Sequence, residues 1–409
     1  FDQYSENTPQ ILKRAKGVYA YDLDENKFLD YGMALRSVSL GYANEQVNNA
    51  AIKQIKLGNN LTRASHIELQ AAELLIDLID SVDMVKFTKN GSTATTAAIK
   101  LSRAYTGKNL IARCADHPFF SYDDWFVGST PVTKGIQQKD IEGTKLFNFN
   151  NIGSLEDLFN EYPNQIACVI LEPAATEHPV NNFLQKVKEL CQKNNSVFIL
   201  DETITGFRWH LKGAQYYYGV EPDLCTFGKA MANGFSVAAV AGKREIMQQA
   251  SIEFLGTERL FMLSTTHGAE MSGLGAFVET IKFMKENNVV EHFWNYGSKL
   301  TKLINTTAKE FNLEKNFVVD GVSCSPYYLT FSKEGKNSLG LRTLFHQEMI
   351  KNGVLMPWMA ISYMHREEEL RITQKAIEET FKIYRKAVDD GFEKYLVGDL
   401  IKPVFRKYN

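Results

Sequence analysis

Apolar residues recur along the chain with two different periods, and each period predicts a different kind of element. Around the polar turn Asp24–Asn26, the alternation of apolar and polar residues predicts a β-hairpin over residues 17–31. Residues 44–57 and 66–80 carry apolar residues at helical spacing, which predicts two amphipathic helices. The first part of the chain is therefore expected to form a hairpin followed by a pair of helices.

The middle of the chain alternates between short apolar runs and amphipathic stretches. Strands are predicted at Met84–Phe87, Ala167–Leu171 and Val197–Asp201, and helices are predicted after the first strand through Ala104 and over Leu184–Asn194. This alternation is typical of a mostly parallel sheet with helices on both faces. The pattern therefore predicts an α/β fold.

The last third of the chain has a different character. Helices are predicted near residues 290–311, 339–352 and 374–392, with strand-like pieces between them. We expect this part to build a small α/β domain together with the N-terminal hairpin. The predicted organisation is residues 1–45 as the N-terminal segment of the small domain, residues 46–294 as the large domain and residues 295–409 as the C-terminal part of the small domain.

The composition is ordinary for a soluble globular protein. The 409 residues are 44% hydrophobic and 23% charged, and a formal net charge of −2 with interspersed acids and bases suggests neither nucleic acid nor a membrane as partner. Five scattered cysteines without C-x-x-C spacing predict free, mostly buried thiols in a reducing, cytoplasmic compartment and no metal site. We find no signal peptide and no apolar run of bilayer length. Because the sequence starts at Phe1 rather than methionine, we expect that N-terminal residues are missing or that it is part of a longer protein.

Two residues carry most of the functional information. Lys229 lies in the stretch Thr226–Ala230, and Asp201 ends an apolar strand and opens the motif Asp201–Arg208 (D-E-T-I-T-G-F-R). A lysine in a small, dry turn can lose its proton and attack a carbonyl, and a buried aspartate can hold a proton on a pyridine nitrogen. These are the two protein groups that pyridoxal phosphate (PLP) requires. Either residue alone is better explained as a surface lysine or a helix-capping aspartate, and it is the pair that indicates the cofactor.

The stretch Asn90–Ala94 fits the phosphate of such a cofactor. It lies between a predicted strand and a predicted helix, where glycine lets the backbone approach an anion and the helix start favours negative charge. Gly91 would supply the close approach, and Ser92 and Thr93 would add hydroxyl donors. By itself the stretch is better explained as an ordinary helix N-cap.

These features together resemble the class III aminotransferases of PLP fold type I, and most of all their glutamate-1-semialdehyde aminomutase-like members. The matching stretches are Gly17–Tyr31, Asp201–Arg208, Gly213–Leu224 and Phe227–Ala230. The resemblance extends from about residue 8 to about residue 385. It is specific for the cofactor and the fold, and weak for the substrate.

The resemblance implies catalytic roles for Lys229 and Asp201. Lys229 would bind PLP covalently and later carry the substrate proton, and Asp201 would bond the ring nitrogen. Phe119, with Phe120 second, matches the aromatic residue over one face of the ring, although both phenylalanines also fit a plain core position. Thr203 matches the residue on the opposite face, where the family usually has valine.

Further positions complete the cofactor site that the resemblance implies. Gly91, Ser92 and Thr93 match the loop that holds the phosphate, although the family usually carries an acidic residue at the position of Thr93. The resemblance also places Glu172 among the residues that bind the cofactor. Thr265 and Thr266 match the place from which a neighbouring subunit sends a threonine into the phosphate site, so the resemblance implies a homodimer with shared active sites. A plain loop is the alternative for these two threonines.

The substrate side is less well defined. Glu177 matches a glutamate that pairs with an arginine in members acting on ω-amino acids, whereas the aminomutases tend to have asparagine there. We find no arginine between Val354 and Tyr363, where that partner is expected. Leu35 and Arg36 match a Ser-Trp-Gly stretch that lines the substrate pocket. Arg36 fits equally well a grip on a carboxylate or phosphate and a plain surface charge.

The sequence therefore predicts a PLP-dependent transaminase that moves an amino group from a small-molecule donor to a small polar carbonyl acceptor. A keto- or aldehydo-sugar used for surface polysaccharide is our suggestion for the acceptor, by analogy. The first alternative is glutamate-1-semialdehyde 2,1-aminomutase. The second is a non-catalytic scaffold or regulator of the same fold, which the intact Lys229 and Asp201 disfavour.

Overall fold

The structure is a computed structural model that describes residues 4–253, 256, 258–263 and 266–408. The chain divides into two compact units. The small unit combines Phe1–Glu45 with Asn287–Val404, and the large unit combines Gln46–Glu286 with Phe405–Asn409. Each unit is built around its own sheet or sheets.

The described residues form strands and helices in regular succession. The strands are β1 (Leu12–Lys16), β2 (Tyr19–Asp22), β3 (Lys27–Asp30), β4 (Met84–Thr88), β5 (Leu110–Cys114), β6 (Thr144–Phe147), β7 (Ile166–Leu171), β8 (Val197–Glu202), β9 (Leu224–Phe227), β10 (Ala238–Gly242), β11 (Phe317–Val322), β12 (Ser325–Thr330) and β13 (Val354–Leu355). The helical segments are α1 (Met33–Arg36), α2 (Glu45–Lys56), α3 (His66–Leu78), α4 (Gly91–Thr106), α5 (Asp124–Val127), α6 (Gln138–Glu142), α7 (Ile152–Glu161), α8 (Phe183–Lys193), α9 (Gly213–Tyr217), α10 (Arg244–Met247), α11 (Met271–Glu286), α12 (Val289–Glu310), α13 (Leu339–Lys351) and α14 (Glu367–Asp390). Short 3₁₀ turns cover Lys229–Ala232, Gln248–Ala250 and Phe392–Lys394.

The large unit contains a seven-stranded sheet in the order β4-β10-β9-β8-β7-β5-β6. Neighbouring strands from β9 to β6 pair in parallel, and β10 runs antiparallel to both of its neighbours. Because β10 opposes both, β4 points the same way as β9. The carboxyl ends of β4, β5, β7, β8 and β9 therefore meet at one edge of the sheet, which we call the carboxyl edge.

Both faces of this sheet are covered. Along β8, Ile199 belongs to a core cluster that includes α4, whereas Phe198 and Leu200 belong to a second cluster that includes α7 and α8. Successive side chains of a strand point to opposite faces, so the two clusters lie on opposite sides of the sheet. This confirms the predicted α/β fold with a mostly parallel sheet between helices.

The small unit joins the two ends of the chain in one sheet. The hairpin of β2 and β3 pairs with β1 on one side and with β13, from the last third of the chain, on the other. A separate hairpin is formed by β11 and β12. The predicted N-terminal hairpin is thereby confirmed.

Most predicted elements are present, and one helix boundary was wrong. The helix predicted near 374–392 is α14, which begins earlier, at Glu367. Its first turn carries three glutamates, and the Glu369 carboxylate accepts a hydrogen bond from the Arg366 backbone N–H. A polar, capped first turn has no apolar spacing, so periodicity could not detect it.

All five cysteines are buried and none forms a disulfide, in agreement with the prediction from their spacing. Within the described residues, no helix combines the length and the apolar character needed to cross a bilayer.

Candidate active site

The structure brings Asp201 and Lys229 to adjacent positions at the carboxyl edge. Asp201 pairs in register with Thr226 on the neighbouring parallel strand β9. That strand ends at Phe227, and Lys229 follows after a single glycine. Because parallel strands end at the same edge of a sheet, two residues that are distant in sequence come together.

Asp201 is a buried carboxylate held in one orientation. Its side chain is 3% exposed, and Oδ1 accepts hydrogen bonds from the Thr203 backbone N–H at 3.0 Å and from the Thr226 hydroxyl at 2.8 Å. Burial raises the pKa of Asp201, while the hydrogen bonds from Thr203 and Thr226 and the positive charge of Lys229 act in the opposite direction. The site therefore has a buried carboxyl group on which the positive charge of Lys229 acts.

Lys229 lies in a strained turn. Its φ of 38° is in the left-handed region, which residues other than glycine rarely adopt. The next three residues, Ala230 to Ala232, are buried. Such strain persists only where the surrounding structure imposes it, and it is concentrated at functional sites.

Thr203 connects the lysine turn to the start of α4. A Cβ placed on Gly228 would lie 3.2 Å from Thr203 Cγ2, and a Cβ placed on Gly91 would lie 3.1 Å from the same atom. Both distances are tighter than most Cβ contacts, so glycine at these positions favours the close approach. Thr203, Gly91 and the residue before Lys229 thus meet at one point.

The first turn of α4 has the geometry of a capped helix. The Asn90 side chain accepts hydrogen bonds from the Thr93 backbone N–H at 2.9 Å and from the Thr93 hydroxyl at 3.0 Å. The ordinary N-cap expected from the sequence is therefore present. Gly91, at the same helix start, lies beside Thr203. The start of α4 is therefore both a capped helix end and a neighbour of the candidate site.

The aromatic segment predicted to face the ring runs past the start of α4. The Thr95 hydroxyl donates to the Phe120 carbonyl at 2.9 Å, and the Tyr122 backbone N–H donates to the Ser92 hydroxyl at 3.2 Å. Phe120 is buried in the core, whereas Phe119 is 46% exposed and has its ring centroid 5.4 Å from that of Phe126. Phe120 is therefore a core residue, whereas Phe119 is not.

His117 and Glu172 form a contact that the sequence did not reveal. The Glu172 backbone N–H donates to His117 Nδ1 at 2.9 Å, which joins the segments that follow β5 and β7. Both residues are buried, and the His117 ring lies 4.9 Å from that of Phe149. Desolvation lowers the pKa of His117 to about 4, so the ring is neutral at physiological pH. The only sequence signal was a histidine placed just before the two phenylalanines.

Glu202 is a buried structural carboxylate. It accepts hydrogen bonds from the Thr205 hydroxyl, from the backbone N–H groups of Ala214 and Gln215, and from the Gln215 side chain, at 2.6 to 3.0 Å. Gly213 has φ of 81°, and a Cβ there would lie 2.5 Å from Glu202 Oε1. Glu202 thus attaches the start of α9 to the end of β8. The neighbouring Arg208 is also buried.

The three predicted substrate residues lie in different places. Glu177 is exposed in the large unit after β7, where its Oε2 accepts a hydrogen bond of 3.1 Å from Asn150 Nδ2. Leu35 and Arg36 belong to the small unit, where Leu35 is 59% exposed.

The predicted phosphate-site threonines are only partly described. Thr265 lies outside the described residues. Thr266 is exposed, and its carbonyl accepts a hydrogen bond of 2.7 Å from Asn60 Nδ2. The following segment is attached nearby, since the Met271 backbone N–H donates to the Asn59 carbonyl at 2.7 Å.

Comparison with known sequences places the chain in a family. The family model described as aminotransferase class-III matches residues 1–388. The chain is 30% identical over 399 residues to glutamate-1-semialdehyde 2,1-aminomutase of Francisella philomiragia subsp. philomiragia, which covers 91% of this chain and 90% of that protein. It is 31% identical over 413 residues to the protein of the same name from Wigglesworthia glossinidia brevipalpis, with 92% of each chain covered.

Solved structures share the fold at lower identity. The FumI protein of Sphingopyxis sp. MTA144, in its PLP internal aldimine form, superposes with a TM-score of 0.85 at 24% identity, covering 95% of this chain and 92% of that chain. An omega-transaminase from Sphaerobacter thermophilus superposes with a TM-score of 0.82 at 24% identity, covering 94% of this chain and 93% of that chain. A glutamate-1-semialdehyde aminomutase from Pseudomonas aeruginosa PAO1 superposes with a TM-score of 0.82 at 19% identity, covering 94% of this chain and 90% of that chain.

The fold and a family match over almost the whole chain agree with one another. The chain belongs to the class-III aminotransferases, a family of PLP-dependent enzymes.

Proposed function

We propose that this protein is a PLP-dependent transaminase that transfers an amino group to a small polar carbonyl compound, a keto- or aldehydo-sugar. The observation that carries the catalytic part is the contact of Asp201 with Thr226, three residues before Lys229, at the carboxyl edge. The proposed acceptor depends on the substrate-side residues, above all on Glu177.

The residues at the carboxyl edge fit PLP in charge and in shape. The bonds from the Thr203 backbone N–H and the Thr226 hydroxyl both end on Asp201 Oδ1, so neither uses Oδ2, the oxygen that a ring N–H would need. Gly91 and Gly228 leave the space beside Thr203 that any larger residue would fill. The start of the 16-residue helix α4 offers backbone N–H groups to a phosphate. We therefore assign Gly91, Ser92, Thr93, Phe119, Glu172 and Thr203 to cofactor binding, with Thr265 and Thr266 supplied by a second subunit.

Bound PLP supplies an electron sink for the electron pair of a substrate Cα–H bond. Asp201 would hold the proton on the ring nitrogen, because a buried carboxylate beside an N–H keeps that group cationic. Its orientation is fixed by Thr203 and Thr226, so little rearrangement is needed when charge develops.

Lys229 has two tasks in this proposal. Its Nζ would hold the cofactor covalently and, once the substrate amine displaces it, would accept and return the proton at Cα. The strained φ at Lys229 and the buried residues that follow it restrict where the amine can point. A proton carrier must be held within hydrogen-bond reach of its target, which is what a rigid turn provides.

Glu177 supports a neutral or hydroxyl-rich acceptor. Its hydrogen bond comes from the neutral Asn150 side chain, and no lysine or arginine among the described residues forms an ion pair with it. A carboxylate on the substrate would meet like charge there, whereas a hydroxyl or ammonium group would donate to it. Leu35 and Arg36 are proposed as further substrate contacts, and an arginine at position 36 fits an acidic group on a larger substrate.

Glutamate-1-semialdehyde 2,1-aminomutase is the second candidate. The observation in its favour is that curated relatives at 30% and 31% identity bear this name. Against it stand the departures noted at Thr93, Thr203 and Glu177 and in the stretch Leu35–Arg36. The two functions differ in whether the amino group leaves the molecule that carries it.

We also propose that the active unit is a homodimer. Leu57 and Leu61 are large apolar residues exposed close to Asn60, which bonds the segment that contains Thr266. Ile52 and Ile55 on α2 and Phe261 are exposed as well. Burying such residues against a second copy would remove apolar surface from water.

The test of this function uses the full-length protein and compares its activity on different amino-group acceptors. We would measure kcat/KM for glutamate-1-semialdehyde and for a panel of keto- and aldehydo-sugars, with the wild-type chain and with Glu177→Gln. The proposal expects a sugar to be the best substrate and expects Glu177→Gln to improve the semialdehyde relative to that sugar. Efficient isomerisation of the semialdehyde to 5-aminolevulinate, with no sugar turned over, would establish the aminomutase instead.

A further inference from the structure

Four consecutive residues of the small unit form a left-handed turn. Met33, Ala34, Leu35 and Arg36 have φ of 41°, 46°, 59° and 69°. None of them is glycine, and each L residue is disfavoured in this region because its Cβ approaches the following carbonyl. A run of four such residues needs an external constraint.

Asp30 supplies that constraint. Its carboxylate is buried, and Oδ1 accepts a hydrogen bond of 2.6 Å from the Gly32 backbone N–H, while Oδ2 accepts one of 3.2 Å from the Met33 N–H and one of 2.7 Å from the Tyr42 hydroxyl. The carboxylate therefore binds two successive N–H groups at the entrance of the turn. Burial raises the pKa of Asp30, and its three donors oppose that rise.

Two more side chains hold the turn from outside. Trp358 Nε1 donates to the Gly32 carbonyl at 3.0 Å, and the Ser37 hydroxyl donates to the Ala34 carbonyl at 2.6 Å. Both bonds lie within the small unit. The turn is thus fixed at its start and at its end.

The turn forms part of the wall of a cavity of about 480 Å³ inside the small unit. Asp30, Ala34, Leu35, Tyr42 and Trp358 are among the residues that line it. Met33 is buried, whereas Leu35 is 59% exposed, so the strain at Leu35 does not serve to bury its own apolar side chain. An exposed apolar side chain held in an unfavourable backbone conformation beside a cavity is better explained by binding than by folding.

We propose that Asp30 is a positioning residue for substrate recognition, which holds the left-handed turn Met33–Arg36 in the conformation in which Leu35 and Arg36 would contact the substrate. This inference rests on the proposed function, in which Leu35 and Arg36 contact the substrate. It implies that disturbing Asp30 changes substrate binding while the chemistry at Lys229 continues.

The test replaces Asp30 by asparagine in the full-length holoenzyme. An asparagine side chain keeps one acceptor oxygen. Its NH₂ group would face the Met33 N–H and the Tyr42 hydroxyl, which now donate to Oδ2, and it cannot accept their hydrogen bonds. With the compound of the acceptor panel that reacts fastest, we expect KM to rise about tenfold or more, because hydrogen bonds to a charged group are lost. The kcat at saturation and the cofactor absorbance should stay close to those of the wild type.

Two further variants separate positioning from loss of stability. Adding Ala34→Gly to Asp30→Asn should lower KM again, because glycine adopts the left-handed conformation without steric cost. Glu369→Gln is the matched control, since Glu369 is another buried carboxylate of the small unit, bonded to the Tyr19 hydroxyl and the Arg366 N–H. It should lower thermal stability without changing KM.

A second readout does not depend on activity. The fluorine resonance of 5-fluorotryptophan at Trp358, identified with Trp358→Phe, should shift in Asp30→Asn and return toward its original position when Ala34→Gly is added. An unchanged KM or an unchanged Trp358 resonance in Asp30→Asn would overturn the proposal. If the wild-type enzyme turns over no compound of the panel, the proposed function fails, and the Trp358 resonance still decides whether Asp30 holds the turn.

Discussion

The Thr226 hydroxyl donates a 2.8 Å hydrogen bond to Oδ1 of Asp201 across the β8–β9 pair, three residues before Lys229 on the same segment. The bond connects the strand that carries the candidate ring partner with the strand that leads to the candidate covalent lysine. A shift of one strand against the other would misplace both groups. The relative position of the two catalytic candidates therefore depends on the pairing of the sheet rather than on flexible loops.

We expect Asp201→Asn to preserve the fold and lose most of the activity. Asparagine keeps an oxygen for the Thr203 and Thr226 donors but has no negative charge to hold a proton on the ring nitrogen. By analogy with other preorganised electrostatic sites the loss should be roughly 3 kcal/mol or more, about a hundredfold in rate. Steady-state kinetics measure the loss of activity, and thermal unfolding of the same preparation shows whether the fold is preserved.

Glu202→Gln is the control for that experiment. Glu202 is as deeply buried as Asp201, but its acceptor atoms are used by Thr205, Ala214 and Gln215. We expect its replacement to lower the melting temperature more than it lowers kcat, because an amide cannot accept all four hydrogen bonds. Near-normal turnover of Asp201→Asn would show that the ring nitrogen has another partner.

His117 should make the protein sensitive to acid. Its pKa is lowered to about 4, whereas an unfolded histidine titrates near 6.5, so the unfolded chain binds more protons between these values. Stability is therefore fully present above pH 6.5 and is lost as the pH falls toward 4, by up to roughly 3 kcal/mol from this one group. Thermal unfolding as a function of pH measures the effect.

His117→Asn is the matched variant. The asparagine oxygen can replace Nδ1 as acceptor for the Glu172 N–H, but it does not titrate in this range. We expect its melting temperature to fall less steeply between pH 6.5 and 4 than that of the wild type. Parallel curves for the two proteins would contradict the assignment of this sensitivity to His117.

The shared-site hypothesis is tested by complementation. A Lys229→Ala chain and a chain altered at Thr265 and Thr266 should each be weak alone. In a mixed dimer with shared sites, one site collects both lesions and the other is intact, so part of the activity returns. No recovery, despite proven subunit exchange, would count against sharing.

The site could be predicted from the sequence to the extent that strand ends determine it. Asp201 ends an apolar strand, Lys229 follows another, and parallel strands end at the same edge, so their proximity follows from the α/β pattern. The small-residue strand β10, which makes the sheet mixed, reads A-A-V-A-G and carries no clear strand period. Its antiparallel direction was therefore not predictable.

Other features depend on side chains that meet only in the folded chain. At the left-handed turn Met33–Arg36, Asp30 binds the N–H groups of Gly32 and Met33, and no local propensity of the turn residues favours their conformation. The contact between His117 and Glu172 joins two strand ends that are far apart in sequence. Neither leaves a periodic signal in the sequence.

The most direct test of the account asks which lysine holds the cofactor. The holoenzyme is reduced with borohydride, digested, and mapped for the pyridoxyl-modified peptide. We predict the label on Lys229, since this residue follows three residues after Thr226, the partner of the buried Asp201 carboxylate, in a turn with a φ of 38°. A label on any other lysine would contradict the assignment of the whole site.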